Sequence, residues 1–334
     1  MNQTRKIRWL IAHEPVELFL RTARAFAEKL SELTDNEYQV EIFTASEYEE
    51  QVKNDKRATV FDKISQQNYG RHESDPMIAM EMGDLEMSQL HITELARWHS
   101  PEFFALELPF LFRDHEHAAR VLEGDIGQKM LTNLKDHSPA QGLAFTYSGG
   151  FRVVISDEPV ASIKDFSGIT FATSINPVTI DTVESVGAVP QPFHIRDFIQ
   201  KSHAEGFDSA ALETTIPRYL AGFKDTNKKY IINTKHSLFL TSIIISNAFW
   251  AGLDADTQTK FQEACIYASR LERKWSVEEA EQFANEDNKH TELGITYSEL
   301  TAEDTEKFKQ LVQPVYDKYT EFFAPGLVNG IIQS

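Results

Sequence analysis

The chain has 334 residues, and 33 Lys+Arg against 51 Asp+Glu give a formal charge of −18. Hydrophobic residues make up 41%, too apolar for a disordered chain, and the length suits two domains or one large core. The acidic balance excludes nucleic acid as a partner, no run reaches the ~18 apolar residues of a membrane span, and the single cysteine, Cys265, excludes an internal disulfide framework.

In chain order, Ile7 to Ala12 reads as a strand almost directly after Met1-Asn2-Gln3-Thr4. No charged, apolar and small-residue leader precedes it, so a cytoplasmic protein and a mature exported form both stay open. Val16 to Leu33 places Phe19, Ala23, Phe26, Ala27 and Leu30 at helical spacing. Tyr38 to Thr44 alternates as a strand, with Val40 and Ile42 on one face. Such βαβ order predicts a largely parallel sheet with helices on its faces. Glu47 to Gln67 reads as a polar helix, Tyr69 to Pro76 as a loop, and Leu85 to Leu90 as a short apolar run after Gly83-Asp84.

Pro101 to Arg113 is densely apolar, and Asp114 is placed to cap a helix from His115 to Leu122. Ser148-Gly149-Gly150 reads as the clearest break of the first half, with a strand from Phe151 to Ser156 after it. A second αβ series follows: a strand at Ile169 to Thr173, a helix to Val186, a turn at Gly187 to Pro192, and a strand at Phe207 to Leu212. Ser237 to Ser246 is β-rich. Asp254 to Leu293 reads as one long helix with Phe261, Ala264, Ala268, Leu271 and Trp275 along one face. The pattern is two αβ lobes between which the chain crosses more than once.

No constellation carries catalysis. His115-Glu116-His117 is an i, i+2 pair whose side chains diverge on a helix, and no HExxH spacing exists, so no metal is expected. A GxSxG elbow, a P-loop and a GxGxxG fingerprint are all missing, so neither enzyme activity nor a cofactor is expected. Cys265 lies on or beside the apolar helix face and reads as a small buried hydrophobe. Glu49-Glu50 and Glu278-Glu279 lie on polar helix faces and read as solvated.

Several blocks taken together resemble the extracytoplasmic solute-binding proteins of tripartite ATP-independent periplasmic (TRAP) transporters. Glu107-Leu108-Pro109-Phe110-Leu111-Phe112-Arg113-Asp114 is similar to the family's "LPFLF" block, and Gly150-Phe151-Arg152 to a strand start bearing a ligand arginine. Asp165-Phe166-Ser167-Gly168, Val186 to Pro192, Gly206-Phe207-Asp208, Lys229-Tyr230, His236 and Ser246 to Leu253 follow in the family's order. The resemblance implies an α/β, two-lobed, periplasmic-binding-protein-like fold with crossing strands and a long helix spanning both lobes. Lobe 1 would take 1–148 and about 237–276, and lobe 2 149–236 and 277–334, with the ligand cleft between them. It also implies a periplasmic or extracytoplasmic location, a leader absent from this chain, and delivery of a small organic ligand to a TRAP membrane permease by a protein that does not itself span the membrane.

Carried over residue by residue, the usual ligand-clamp arginine falls at Ala172, the usual asparagine at Leu212 with Ala210 and Ala211 beside it, and a stacking aromatic at Ile195. In lobe 1 the implied ligand contacts are His91, His13 and Glu14. A methyl cannot replace a guanidinium's bidentate grip on a carboxylate. Arg152 is the remaining cation, and buried it needs a facing anion: a ligand acid or a carboxylate of the protein itself. Ala172, Ile195, Ala211 and Leu212 together imply a more apolar pocket wall and a ligand less anionic than the usual organic acid. The alternative is a sensor or partner-protein subunit, docking a tetratricopeptide-like helical-repeat protein through the lengthened segment 47–82.

Overall fold

A computed structural model describes residues 4–12, 16–53, 75–193, 209–285, 290 and 292–334. They form two compact units, one drawn from residues 1–91, 122–146 and 241–272, the other from 92–121, 147–240 and 273–334.

Unit one is built on a sheet with strand order β2-β1-β3-β10-β4. Its strands are β1 (Arg5–Ile11), β2 (Tyr38–Thr44), β3 (Met87–His91), β4 (Ala140–Phe151) and β10 (Leu238–Ser246). β1 runs parallel to both β2 and β3, and β10 is antiparallel to β3. The predicted βαβ order is therefore real at the start of the chain, where α1 (Val16–Leu33) is the crossover. Its Phe19, Ala23, Phe26 and Leu30 are all fully buried at the expected i, i+4, i+7 spacing, while Ala27, expected on the same stripe, stays partly exposed. Trp9 meets Phe26 at 5.1 Å between ring centroids, and Tyr38 meets Phe261 edge-on at 5.2 Å, so aromatic pairs join strand, crossover helix and long helix.

The remaining helices in chain order are α2 (Ala45–Lys53), α3 (Pro76–Glu81), α4 (Ile92–Trp98), α5 (His115–Glu123), α6 (Asp125–Asn133), α7 (Pro177–Ser185), α8 (Ile216–Gly222), α9 (Asn247–Ala251), α10 (Ala255–Asn285), α11 (Ala302–Leu311), α12 (Gln313–Tyr319) and α13 (Leu327–Gln333). Asp114 caps α5 as expected, its carboxylate accepting from the His117 amide at 2.7 Å. Of the polar helix predicted over Glu47 to Gln67, α2 ends at Lys53 and the rest lies outside the described residues.

Unit two holds the second sheet, ordered β11-β9-β5-β8-β6-β7. Its strands are β5 (Val153–Ser156), β6 (Thr170–Ser174), β7 (Val189–Phe193), β8 (Ala211–Thr214), β9 (Tyr230–Asn233) and β11 (Thr296–Glu299). β6 is parallel to β7 and β8, while β5 is antiparallel to β8 and β9.

Three expectations are corrected. Ser148-Gly149-Gly150 is no break: β4 runs through it to Phe151, with Gly149 and Gly150 at φ of +98° and +86°. A Cβ on Gly149 would lie 2.3 Å from the Thr215 hydroxyl, so glycine is there for a close approach and not for a turn. The stretch read as a turn at Gly187 to Pro192 is largely β7. Its Pro190 and Pro192 are tolerated because this is an edge strand. In α10 the buried line runs Phe261, Ala264, Cys265, Ala268, Ser269, Glu272 and Ser276, while Leu271 and Trp275 stay partly exposed.

Candidate functional site

The parallel strands β6 and β8 of unit two end together, and open α/β sheets bind ligands beyond such carboxyl ends. Two helices start there. Asn176 caps α7, its side-chain oxygen accepting from the Val178 amide at 3.0 Å, and Thr215 precedes α8. Thr173 and Thr214, at the ends of the two strands, carry buried hydroxyls with no hydrogen-bond partner among the described residues.

At this end of the sheet lies a buried charge cluster. Arg152 Nη1 donates to Glu107 Oε2 at 2.9 Å and to Glu213 Oε1 at 3.1 Å. All three side chains are nearly or wholly removed from solvent, at 4%, 0% and 10% exposure. The guanidinium also lies over the Phe239 ring, 4.6 Å from its centroid, a favourable position for a desolvated cation. Glu107 accepts a further hydrogen bond from Thr93 Oγ1 at 3.0 Å, and the Asn176 amide reaches Thr93 at 3.3 Å. His236 places Nε2 3.2 Å from Glu213 Oε2 and Nδ1 2.7 Å from Thr234 Oγ1.

Burial is the largest single influence on all three groups, but it decides the direction only at Glu107. It pushes the Glu107 carboxyl above its ordinary value, with Arg152 only partly offsetting it. Burial acts on Glu213 in the same direction, but Arg152 and His236 outweigh it and hold that carboxyl below the usual carboxylate range. For Arg152, burial opposes the charge, the two carboxylates overcome it, and the guanidinium is stabilised. Arg152 is thus bonded to two carboxyl groups of the protein, and a second buried arginine, Arg218, lies 4.7 Å from the centroid of the same Phe239 ring.

The residues proposed from sequence are placed as follows. Arg152 is at the centre of this cluster, and the facing anion it required is supplied by the protein twice over. Ala172 and Leu212 are fully buried in the hydrophobic core of unit two, with Val153, Ile155, Tyr219 and Phe283. Register pairs them across β6 and β8. His91 ends β3 in unit one, buried and opposite Thr241 of β10. His13, Glu14 and Ile195 lie outside the described residues. Among the described residues no group of three or more His, Cys, Asp or Glu side chains is arranged to hold a metal ion.

Sequence reasoning did not single out Glu107 and Glu213 as partners of Arg152. A signal existed for Glu107: it and Glu102 are the only acids in the apolar run Pro101 to Phe112. A charge within such a run is either solvated or paired.

Comparison with known proteins agrees with this fold. The family model for the bacterial extracellular solute-binding proteins, family 7, matches residues 13–322. The C4-dicarboxylate-binding periplasmic protein DctP of Rhodobacter capsulatus is 24% identical over 251 residues, 75% of this chain and 73% of that protein. The sialic acid-binding periplasmic protein SiaP of Vibrio cholerae is 22% identical over 240 residues, 72% of each chain. Among solved structures, the sugar acid binding protein DctPAm of Advenella mimigardefordensis, in complex with galactonate, superposes with a TM-score of 0.80 at 19% identity, covering 100% of this chain and 98% of that one. A TRAP periplasmic solute binding protein from Sulfurospirillum deleyianum with bound succinate gives 0.77 at 18%, covering 98% and 97%. What the family and these neighbours share is solute binding, not catalysis, and no helix among the described residues is long and apolar enough to cross a membrane. The chain belongs to the bacterial extracellular solute-binding proteins, family 7.

Proposed function

We infer that this protein is the extracytoplasmic receptor of a TRAP-type secondary transporter, working in the periplasm or its equivalent. It captures a small organic ligand and delivers it to the membrane permease. Relatives that bind C4-dicarboxylates and sialic acid, and a neighbour holding galactonate, support a small polar organic solute as the ligand class.

Within that class the ligand is less anionic than the usual organic acid. One observation carries this reading: Arg152, the cation that the family resemblance offers for a ligand carboxylate, is already bonded to Glu107 and Glu213. Ala172 at the usual clamp position supports it from the other side, since an alanine methyl makes no ion pair. Arg152, His91, Ala172, Leu212, Ile195, His13 and Glu14 remain the proposed ligand-side positions. Nothing observed favours the sensor or helical-repeat-partner alternative, because most of the segment it rests on, 54–74, lies outside the described residues.

The test is mass spectrometry of what the purified protein releases on denaturation, followed by a thermal-shift screen with each species found. A true ligand raises the melting temperature by mass action. A neutral or weakly acidic solute is expected. A dicarboxylate or sugar acid that stabilises the protein would overturn the ligand assignment while leaving the receptor assignment intact.

A further inference from the structure

The seam that α10 presents within unit one is made mostly of small residues. Ala264, Cys265, Ala268 and Ser269 are all buried to within 2% of complete, and Phe261 is the only large side chain on that line. Phe261 packs against Phe26, Tyr38 and Phe249 and keys the start of the seam, while the small side chains from Ala264 to Ser269 add little steric keying of their own.

One polar contact on this seam is specific. The Gln89 Nε2 of β3 donates to Glu272 Oε1 and Oε2 at 2.9 and 2.8 Å, and lies 2.7 Å from Thr146 Oγ1 and 2.9 Å from Thr241 Oγ1. The two threonine hydroxyls are themselves hydrogen-bonded. Gln89, Thr146, Thr241 and Glu272 are all at most 1% exposed. One carboxamide therefore ties three adjacent strands, β3, β10 and β4, to one residue of the helix. Its orientation is set by the Glu272 carboxylate, because a flipped amide would turn its oxygen against two carboxylate oxygens. These residues also stand where the chain leaves unit one: its segments end at Thr146 and Glu272 and resume at Thr241.

We propose that the Gln89–Glu272 pair is a register key, which fixes the rotation of α10 on the sheet of unit one at the far end of the seam from Phe261, where the small residues do not. A buried polar pair is a weak source of stability but an effective source of register, since a shift of one residue leaves a carboxylate facing apolar surface. The same helix carries Phe283 into the core of unit two, so its register has to be single-valued.

Cys265 supplies the probe, because it lies in this seam, is fully buried and is the only cysteine of the chain. Labelling by 5,5′-dithiobis(2-nitrobenzoic acid) is measured on the full chain under native conditions. The double substitution Gln89→Leu with Glu272→Leu should leave unfolding cooperative but speed labelling about tenfold, with little dependence on low urea, as local opening requires. Labelling of the folded variant at the wild-type rate would overturn the proposal. Should that variant not fold, the reciprocal exchange Gln89→Glu with Glu272→Gln preserves the pair and should label at the wild-type rate, whereas Gln89→Glu alone, with two facing carboxylates, should label faster. Equal labelling of the exchange and the single variant would overturn the proposal as well.

Discussion

Arg152 and Glu107 meet at 2.9 Å in a place almost wholly removed from solvent, and the same guanidinium nitrogen, Nη1, also bonds Glu213 at 3.1 Å. A buried cation held this way stabilises the fold conditionally: the pair adds little over an apolar pair, but half of it is costly. The charge proposed from sequence as a ligand anchor is thus an internal structural charge as well.

Glu107→Ala should therefore destabilise the protein by about 3 kcal/mol, the usual cost of removing one partner from a buried ion pair. Urea unfolding at neutral pH measures it. A loss below about 1 kcal/mol, the range of an exposed pair, would show that Arg152 does not depend on Glu107.

Glu213 gives the cluster an acid-sensitive component. Its carboxyl is held below the ordinary 4.5 in the folded protein, so its stabilisation is complete above that value and disappears as pH falls through the folded value. Glu213→Gln should cost most near neutrality, and the gap to wild type should narrow below pH 4.5. A gap that widens on acidification would contradict the placement of Glu213 beside Arg152 and His236.

His115 titrates in the same sense for a different reason. Burial lowers it to about 4, with the Lys235 charge adding to the effect and Asp114 opposing it. Its ring packs between Tyr147 at 5.4 Å and Phe151 at 4.8 Å. The folded protein thus refuses a proton that the unfolded chain accepts below 6.5, and stability is lost between 6.5 and about 4. The full contribution is about 3 kcal/mol at 1.36 kcal/mol per pKa unit. In His115→Phe, where a ring of similar shape cannot protonate, the fall in stability between pH 7 and pH 4.5 should shrink by about 2 kcal/mol. An unchanged pH slope in paired unfolding curves would contradict it.

At Gly149 the backbone is left-handed and the space is filled. With φ at +98° and the Thr215 side chain 2.3 Å from a would-be Cβ, Gly149→Ala should cost about 3 kcal/mol or prevent folding. Gly168, also at positive φ but with nothing within 4 Å, is the control, and its alanine variant should lose only about 1 kcal/mol. Equal losses at the two positions would remove the steric argument.

Much of the fold could be read where the controlling interactions are local. The 3.6-residue stripe of α1 and the alternation of β2 gave their bounds, and the Asp114 carboxylate gave a cap. Reading failed where distant contacts decide. Gly149-Gly150 and the two prolines of β7 carry the local chemistry of turns, yet Thr215 and the strand β6 hold them in sheets. The face of α10 was read as rotating toward Leu271 and Trp275. It turns instead to Glu272, and the local pattern does not show this because the partner, Gln89, is 183 residues away. At the site, Arg152 was legible as a charge that must face an anion, but choosing among 51 acidic residues needed the fold to bring Glu107 and Glu213 to it.

Calorimetric titration of ligand-free protein with matched pairs of solutes, each organic acid against its primary amide, tests the central claim most directly. Succinate and galactonate, each set against its amide, are suitable probes. Because Arg152 is already shared between Glu107 and Glu213, the amide of any acid that binds should bind at least as tightly as the acid itself. Acids binding about tenfold tighter than their amides, a difference of about 1.4 kcal/mol, would contradict the account and assign a carboxylate-gripping cation to the site.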